Sequence, residues 1–170
     1  MIYFTSDLHL GHHAIIHMCN RPFHNVDEMN KTIISNWNRL VHKNDIIYIL
    51  GDIAHRIPIT KSNELIKRLN GRKILIRGNH DKRYDESLFE EACDFKVIKH
   101  EGLKISLMHY PLLEWPYKYR SGIHLHGHQH NTYEYNLSML EKGIKRYDVG
   151  VDANDFQPVS LTDIIRFFGL

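Results

Sequence analysis

The sequence predicts an α/β protein in which two β-sheets pack together between helices. Three observations carry that expectation. In the first half, short β-branched runs alternate with amphipathic segments: Ile2–Ser6, then 28–41, Asp45–Leu50, 61–69 and Lys73–Arg77. That is the order of strands joined by covering helices. In the second half, "FKVIKH" and "LKISLMH" flank Glu101-Gly102 and read as a hairpin, so this part is more antiparallel. No repeat, low-complexity tract or linker interrupts the 170 residues, so 1–170 read as one domain. Such a chain buries a sizeable core without disulfides or structural zinc.

The elements run in order. Ile2–Ser6 reads as a buried strand. Residues 28–41 place Met29, Ile33, Ile34, Trp37, Leu40 and Val41 on one helical face, with Asn25 or Asp27 as cap and Glu28 completing a box-like pattern. Asp45–Leu50 is a strand. Residues 61–69 form a short helix with Thr60 as N-cap and Gly71 as terminator. Lys73–Arg77 is a strand, and 85–92 are expected to be helical. "GIHLH" and "KRYDVGV" add strands, and "SLTDIIRFF" closes the chain as a helix capped by Ser160, with Asp163 three residues on.

Composition narrows the function classes. The chain is 42% hydrophobic and 25% charged, with a formal net charge of +2. That balance gives no argument for a nucleic acid or a membrane surface as partner, and leaves nucleic acid open. Cys19 and Cys93 form no ligand-like pair and are expected to be reduced. The start "MIYFTSDLHL" has no basic region of a signal peptide, and no apolar run reaches membrane-spanning length. A cytoplasmic protein is expected. Fourteen histidines outnumber ten glycines, which suggests a chemical use for imidazole.

The residues directly after each strand are more informative. Asp7-Leu8-His9 stands after the first, Gly51-Asp52 after the second, and Gly78-Asn79-His80-Asp81 after the third. His109 ends the run "LKISLM", and Gly127-His128-Gln129-His130 the run "GIHLH". Ligands of α/β sheets gather beyond the carboxyl ends of strands, so these five ends are expected to share one pocket. Asp and His without Cys favour manganese, iron or zinc in an open site over a thiolate zinc site. The candidate ligands are too many for one ion and suit two ions about 3.5–4 Å apart with a bridging carboxylate. Asp52, beside Gly51, is the best-placed bridge.

This ordered set resembles the calcineurin-like metallophosphoesterases, over residues 7–130. The resemblance implies a four-layer α/β/β/α sandwich of two mixed sheets flanked by helices. It implies two divalent ions, manganese first, with iron, zinc or nickel as alternatives. One ion would be held by Asp7, His9, Asp52 and His130, the other by Asp52, Asn79, His109 and His128. His80 and Asp52 would be catalytic, with His80 contacting phosphate and protonating the leaving oxygen. The implied activity is hydrolysis of a phosphate ester by metal-activated hydroxide. The expected substrate is a diester, with a nucleotide-like group as one option. Many members read GDxxD after the second strand, and the later Asp orients the histidine. Here the stretch is Gly51-Asp52-Ile53-Ala54-His55-Arg56, so the partner of His80 must come from elsewhere, Asp81 being one candidate. The compact chain looks most like the small bacterial, archaeal and phage members.

His12, His55 and Arg56 are candidate substrate contacts. His124 and His126, inside the strand, are expected to be packed or to support the ligands. "WPYKYRSG" (115–122) alternates aromatic and basic residues, and either stacks a base or is a solvated loop. Lys82 and Arg83 read as a solvated turn, and "VDANDFQPVS" as a tight connection without chemistry. The alternatives are a phosphomonoesterase of the same fold, a non-catalytic partner-binding scaffold, and a sequence-tolerant nuclease.

Overall fold

The computed structural model describes residues 1–81 and 83–170, so Lys82 lies outside the described residues. The chain runs β1 (Ile2–Thr5), α1 (Ile15–Met18), α2 (Val26–Leu40), β2 (Ile46–Ile49), α3 (Ile59–Lys67), β3 (Arg72–Ile76), β4 (Glu91–Cys93), β5 (Phe95–His100), β6 (Leu103–Met108), β7 (Gly122–His126), α4 (Tyr133–Glu141), β8 (Arg146–Asp148), β9 (Val159–Ser160) and α5 (Leu161–Phe167). One sheet has the order β4-β3-β2-β1-β9, the other β5-β6-β7-β8. Both are mixed. Strands β1 to β4 are parallel with β9 antiparallel, while β6, β7 and β8 are parallel with β5 antiparallel.

Side chains alternate across each strand and so divide between two apolar layers. Tyr3, Ile47, Ile49 and Leu75 point to one face of the first sheet, where α1, α2 and α3 bury Ile15, Met29, Ile33, Trp37, Leu65 and Ile66. Phe4, Tyr48, Leu50, Ile74 and Ile76 point to the other face and meet Ile105, Leu107, Ile123, Leu125 and Tyr147 of the second sheet, with Leu161 and Ile164 of α5 closing that layer. Helix α4 lies against β8. Helices, sheet, sheet and helix make the four expected layers. No helix among the described residues is long and apolar enough to cross a membrane.

Local chemistry sets the ends. Asn25 caps α2 by accepting from Glu28 N at 2.9 Å, while the Glu28 carboxylate reaches His24 N at 2.7 Å, one residue before the usual capping-box target. Ser160 caps α5 by accepting from Asp163 N. Three expectations are corrected. Thr60 is not the cap of α3, because that helix starts at Ile59 directly after Pro58, whose fixed φ of −57° suits a helix entry. Residues 85–92 are not helical. One 3₁₀ turn at Glu86–Leu88 gives way to β4, which pairs with β3 while Arg72 grips Glu90 at 2.6 and 3.0 Å. The 131–145 region, for which the sequence predicts no element, contains α4, whose tyrosines and asparagine blur its apolar face.

The histidines of β7 belong to this fold. Ile123 and Leu125 face the apolar layer between the sheets, so His124 and His126 face outward, yet both are fully buried. Ring contacts with Trp115 and Tyr135 cover them. Leu112 N donates to His124 Nε2 at 3.0 Å, so His124 Nδ1 donates to Ser106 O at 3.1 Å. His126 Nδ1 donates to Gly127 O at 2.9 Å and Nε2 meets Tyr135 Oη at 3.0 Å. Burial pushes both imidazoles down to about 4. The unfolded chain takes up these protons near pH 6.5 and the folded chain only near pH 4, so stability is lost as pH falls through that window. Each ring contributes at most about 3 kcal/mol to that loss. Urea denaturation in EDTA is expected to show a midpoint falling from about pH 7 to about pH 4.5. His126→Gln is expected to be less stable at neutral pH and to show a shallower fall.

Candidate metal centre

The two sheets meet at one edge. Val151 N donates to Ser6 O at 3.1 Å, and Ser6 bridges Gly150 in parallel register. The ends of β1 and β8 are thereby joined, and the strand-end motifs converge around them. Asp7, His9, Asp52 and His109 are buried, while Asn79, His80, His128 and His130 lie nearer the surface.

Each carboxylate is held by one oxygen and presents the other. Asp7 Oδ2 accepts from His128 N at 2.8 Å, and Asp52 Oδ1 accepts from His80 N at 2.9 Å. Asp52 Oδ2 faces His9 Nε2 at 3.6 Å and His109 Nε2 at 3.7 Å. The imidazoles are oriented likewise. His109 Nδ1 donates to Leu50 O at 2.7 Å, leaving Nε2 at 2.9 Å from Asn79 Oδ1 and 3.2 Å from His128 Nδ1. His130 Nδ1 bonds Asp152 Oδ2 at 2.8 Å, leaving Nε2 at 3.9 Å from Asp7 Oδ1. His9 Nδ1 meets His12 Nδ1 at 3.3 Å.

The backbone is forced into this arrangement. Asp7, His9, Asp52, His128 and His130 all have φ between 50° and 72°, the left-handed region that residues with a Cβ avoid at about 1–2 kcal/mol each. Close approach removes a side chain elsewhere. A Cβ on Gly127 would collide with Ser6 Oγ and Asp7 Oδ2, and one on Gly78 would collide with Asp52 Oδ1.

These residues fit divalent cations. Asp7 Oδ1 and His9 Nε2 are buried with no hydrogen-bond partner among the described residues. Such groups are costly unless something satisfies them. Asp7, His9 and His130 bring their ligand atoms within 4.8 Å of one another, as do Asp7, Asp52 and His109. Oxygen and imidazole donors without thiolate suit hard or borderline ions. Cys19, His130 and Asp152 form a third such group, but there Asp152 is already paired with Arg21.

Burial pushes the Asp7 carboxyl up to about 6, against the pull of His109 and His130. Burial also drives His9 and His128 down, with neighbouring imidazoles adding to the effect and Asp52 opposing it at His128. At His130 burial opposes the charge, but the Asp152 hydrogen bond and nearby carboxylates prevail and hold it up to about 10. A cation entering beside His130 therefore displaces a proton.

Beside these groups lies a cluster of imidazoles in tilted and edge-on contact. The His80 ring is 4.0 Å from that of His55, His55 is 4.6 Å from His12, and His9 is 5.7 Å from His80, all centroid to centroid. The exposed Arg56 lies near enough to His12 to depress it electrostatically, after burial and His55. Asp81 does not rebuild the missing dyad. Its oxygens accept from Asp52 N, Ile53 N, Gly78 N and Tyr84 Oη at 2.8–3.0 Å, so it braces two loops, and the ring beside His80 is that of His55, tilted by 41°.

The 115–122 loop lies away from the centre. Ser121 O accepts from Lys104 N and Trp115 Nε1 donates to Gly122 O, at the end of β6 opposite His109. The aromatic that does reach the centre is Tyr110, 40% exposed, with its ring 4.6 Å from His128 and 5.1 Å from His109. Tyr110, Arg21 and Asp152 are absent from the residues that the sequence motifs identify. Asp152 stands after the strand β8, so the strand-end rule applied once more would have found it, whereas the 151–160 stretch reads as a connection without chemistry.

Comparison with known proteins agrees with this geometry. A family model for calcineurin-like phosphoesterases matches residues 1–142. Uncharacterized protein MJ1445 of Methanocaldococcus jannaschii is 41% identical over 166 residues, covering 97% of this chain and 89% of that protein. Gene 66 protein of Mycobacterium phage D29 is 28% identical over 188 residues, covering 93% and 92%. The crystal structure of AQ665 from Aquifex aeolicus, a protein of unknown function, superposes with a TM-score of 0.76 at 31% identity, covering 98% of both chains. The chain belongs to the calcineurin-like phosphoesterase family, and is a metal-dependent hydrolase of phosphate esters.

Proposed function

We propose that this protein is a dinuclear phosphodiesterase that uses manganese. Asp7, His9, Asp52 and His130 hold one ion. Asp52, Asn79, His109 and His128 hold the other, and Asp52 is shared. The observation that carries this reading is Asp52 Oδ2, which faces His9 Nε2 at 3.6 Å on one side and His109 Nε2 at 3.7 Å on the other. When bound, the two ions supply positive charge to the phosphoryl oxygens and acidify a water for attack on phosphorus.

The protein's own groups do the rest. Asp81 and the His80 N–H fix the loop that carries Asp52. His80, flanked by the His55 ring, donates a proton to the leaving oxygen, which helps most when that oxygen is a poor leaving group. His12, His55 and Arg56 line the approach to His80 and contact the substrate. A diester is favoured over a monoester because its single charge needs less compensation. Arg21 is committed to Asp152, whereas the exposed Arg56 acts on His12 and is offered to the substrate. Tyr110 offers an exposed ring to a nucleoside-like group on the ester.

Three expected outcomes test this. With Mn²⁺ the protein is expected to hydrolyse bis-p-nitrophenyl phosphate faster than p-nitrophenyl phosphate and to lose both activities in EDTA. Asp52→Asn is expected to lose most binding of both ions in equilibrium dialysis, and normal occupancy would contradict the shared carboxylate. His80→Ala is expected to keep both ions yet turn over an alkyl ester about 10²–10⁴-fold more slowly, with a much smaller effect on a nitrophenyl ester. Equal effects on the two leaving groups would remove the acid role.

A further inference from the structure

We propose that Asp152, locked by Arg21, is the positioning residue that sets the ring orientation and tautomer of His130 and so tunes one ion of the pair. The inference rests on the dinuclear reading above. A carboxylate only accepts, so the 2.8 Å contact makes His130 Nδ1 the protonated nitrogen and turns Nε2 toward Asp7. His109, by contrast, is oriented by a peptide carbonyl, that of Leu50. A carboxylate partner makes an imidazole a stronger donor than a neutral carbonyl does.

Asp152 is itself immobilised. Arg21 Nε donates to Oδ1 and Nη2 to Oδ2, both at 2.8 Å, a two-pronged grip with the Arg21 side chain wholly buried. The guanidinium also reaches Asp7 O at 2.8 Å and Leu8 O at 3.0 Å. One buried cation therefore ties the strained backbone of Asp7 to the carboxylate that aims His130. The Asp7 and His130 side chains face each other at 3.9 Å although they come from distant parts of the sequence. Here one guanidinium spans the backbone of Asp7 and Leu8 and the carboxylate that holds His130.

The test measures ion binding rather than turnover. Equilibrium dialysis with Mn²⁺ on the wild type is expected to give two ions. Asp152→Asn is expected to hold one ion with nearly unchanged affinity and the other about 10–100-fold more weakly. Asp152→Glu is expected to recover part of that loss. Equal weakening at both ions, or a change confined to the urea midpoint in EDTA, would show a purely structural pair and overturn the inference. A second measurement needs no variant. In the Zn²⁺-loaded wild type, long-range proton–nitrogen spectra are expected to show His130 protonated at Nδ1 and bare at Nε2. The opposite tautomer would overturn the inference even if two ions bind. One ion in the wild type would refute the dinuclear reading instead, and the His130 tautomer would still decide the role of Asp152.

Discussion

The centre depends on how closely the ends of two sheets approach. At Gly127 the chain leaves β7 against Ser6 and Asp7, with no room for even a methyl group. That contact allows His128 N to donate to Asp7 Oδ2, and it continues through the Ser6–Gly150 bridge. The first sheet supplies Asp7, His9, Asp52 and Asn79, and the second supplies His109, His128 and His130. Both groups of clustered ligand atoms, Asp7 with His9 and His130 and Asp7 with Asp52 and His109, draw on the two sheets together. The apolar layer between them, from Phe4 and Leu50 to Leu107 and Leu125, sets the spacing at which these groups meet.

Such a meeting opposes ordinary packing rules. Buried carboxylates and imidazoles sit side by side on backbones in left-handed conformations. The surrounding structure overrides local preference with amide-to-carboxylate bonds at Asp7, Asp52 and Asp81, and with the Arg21 guanidinium. Each of these bonds fixes an oxygen or a nitrogen that is not needed for a cation. The atoms left over point inward, as a preorganised cation site requires.

Much of this was legible in the sequence, for identifiable reasons. The strands β1 to β3 and β5 to β8 were visible because β-branched residues cluster and turn residues bound them, whereas the short edge strands β4 and β9 were not. The ligand candidates were visible because each stands directly after such a run. Within "HLHGHQH" the even spacing was ambiguous until Gly127 divided it. Before the glycine, strand alternation sends His124 and His126 under Trp115 and Tyr135, and after it the turn carries His128 and His130 to the centre. The illegible remainder depends on contacts between distant residues. Asp152 looks like any loop acid until His130 and Arg21 are placed on either side of it. Residues 85–92 look helical until β3 offers them an unpaired edge, and the aromatic-basic loop is open between a stacking surface and a solvated loop until parallel pairing of β6 and β7 carries it to the other end of the sheet.

That parallel pairing leaves a mark on the outer surface. Residues 109–121 cross from the end of β6 to the start of β7 without a helix, so the second sheet is roofed partly by irregular chain. The crossing begins at Tyr110, over the cations' seat, and passes Tyr117 and Tyr119 at the far rim. Extra sequence inserted near 117–120 would grow outward into solvent and leave the chemistry alone. The same length inserted beside Tyr110 would overhang the opening and restrict what enters. One connection thus offers evolution both a harmless site for growth and a place to build a lid.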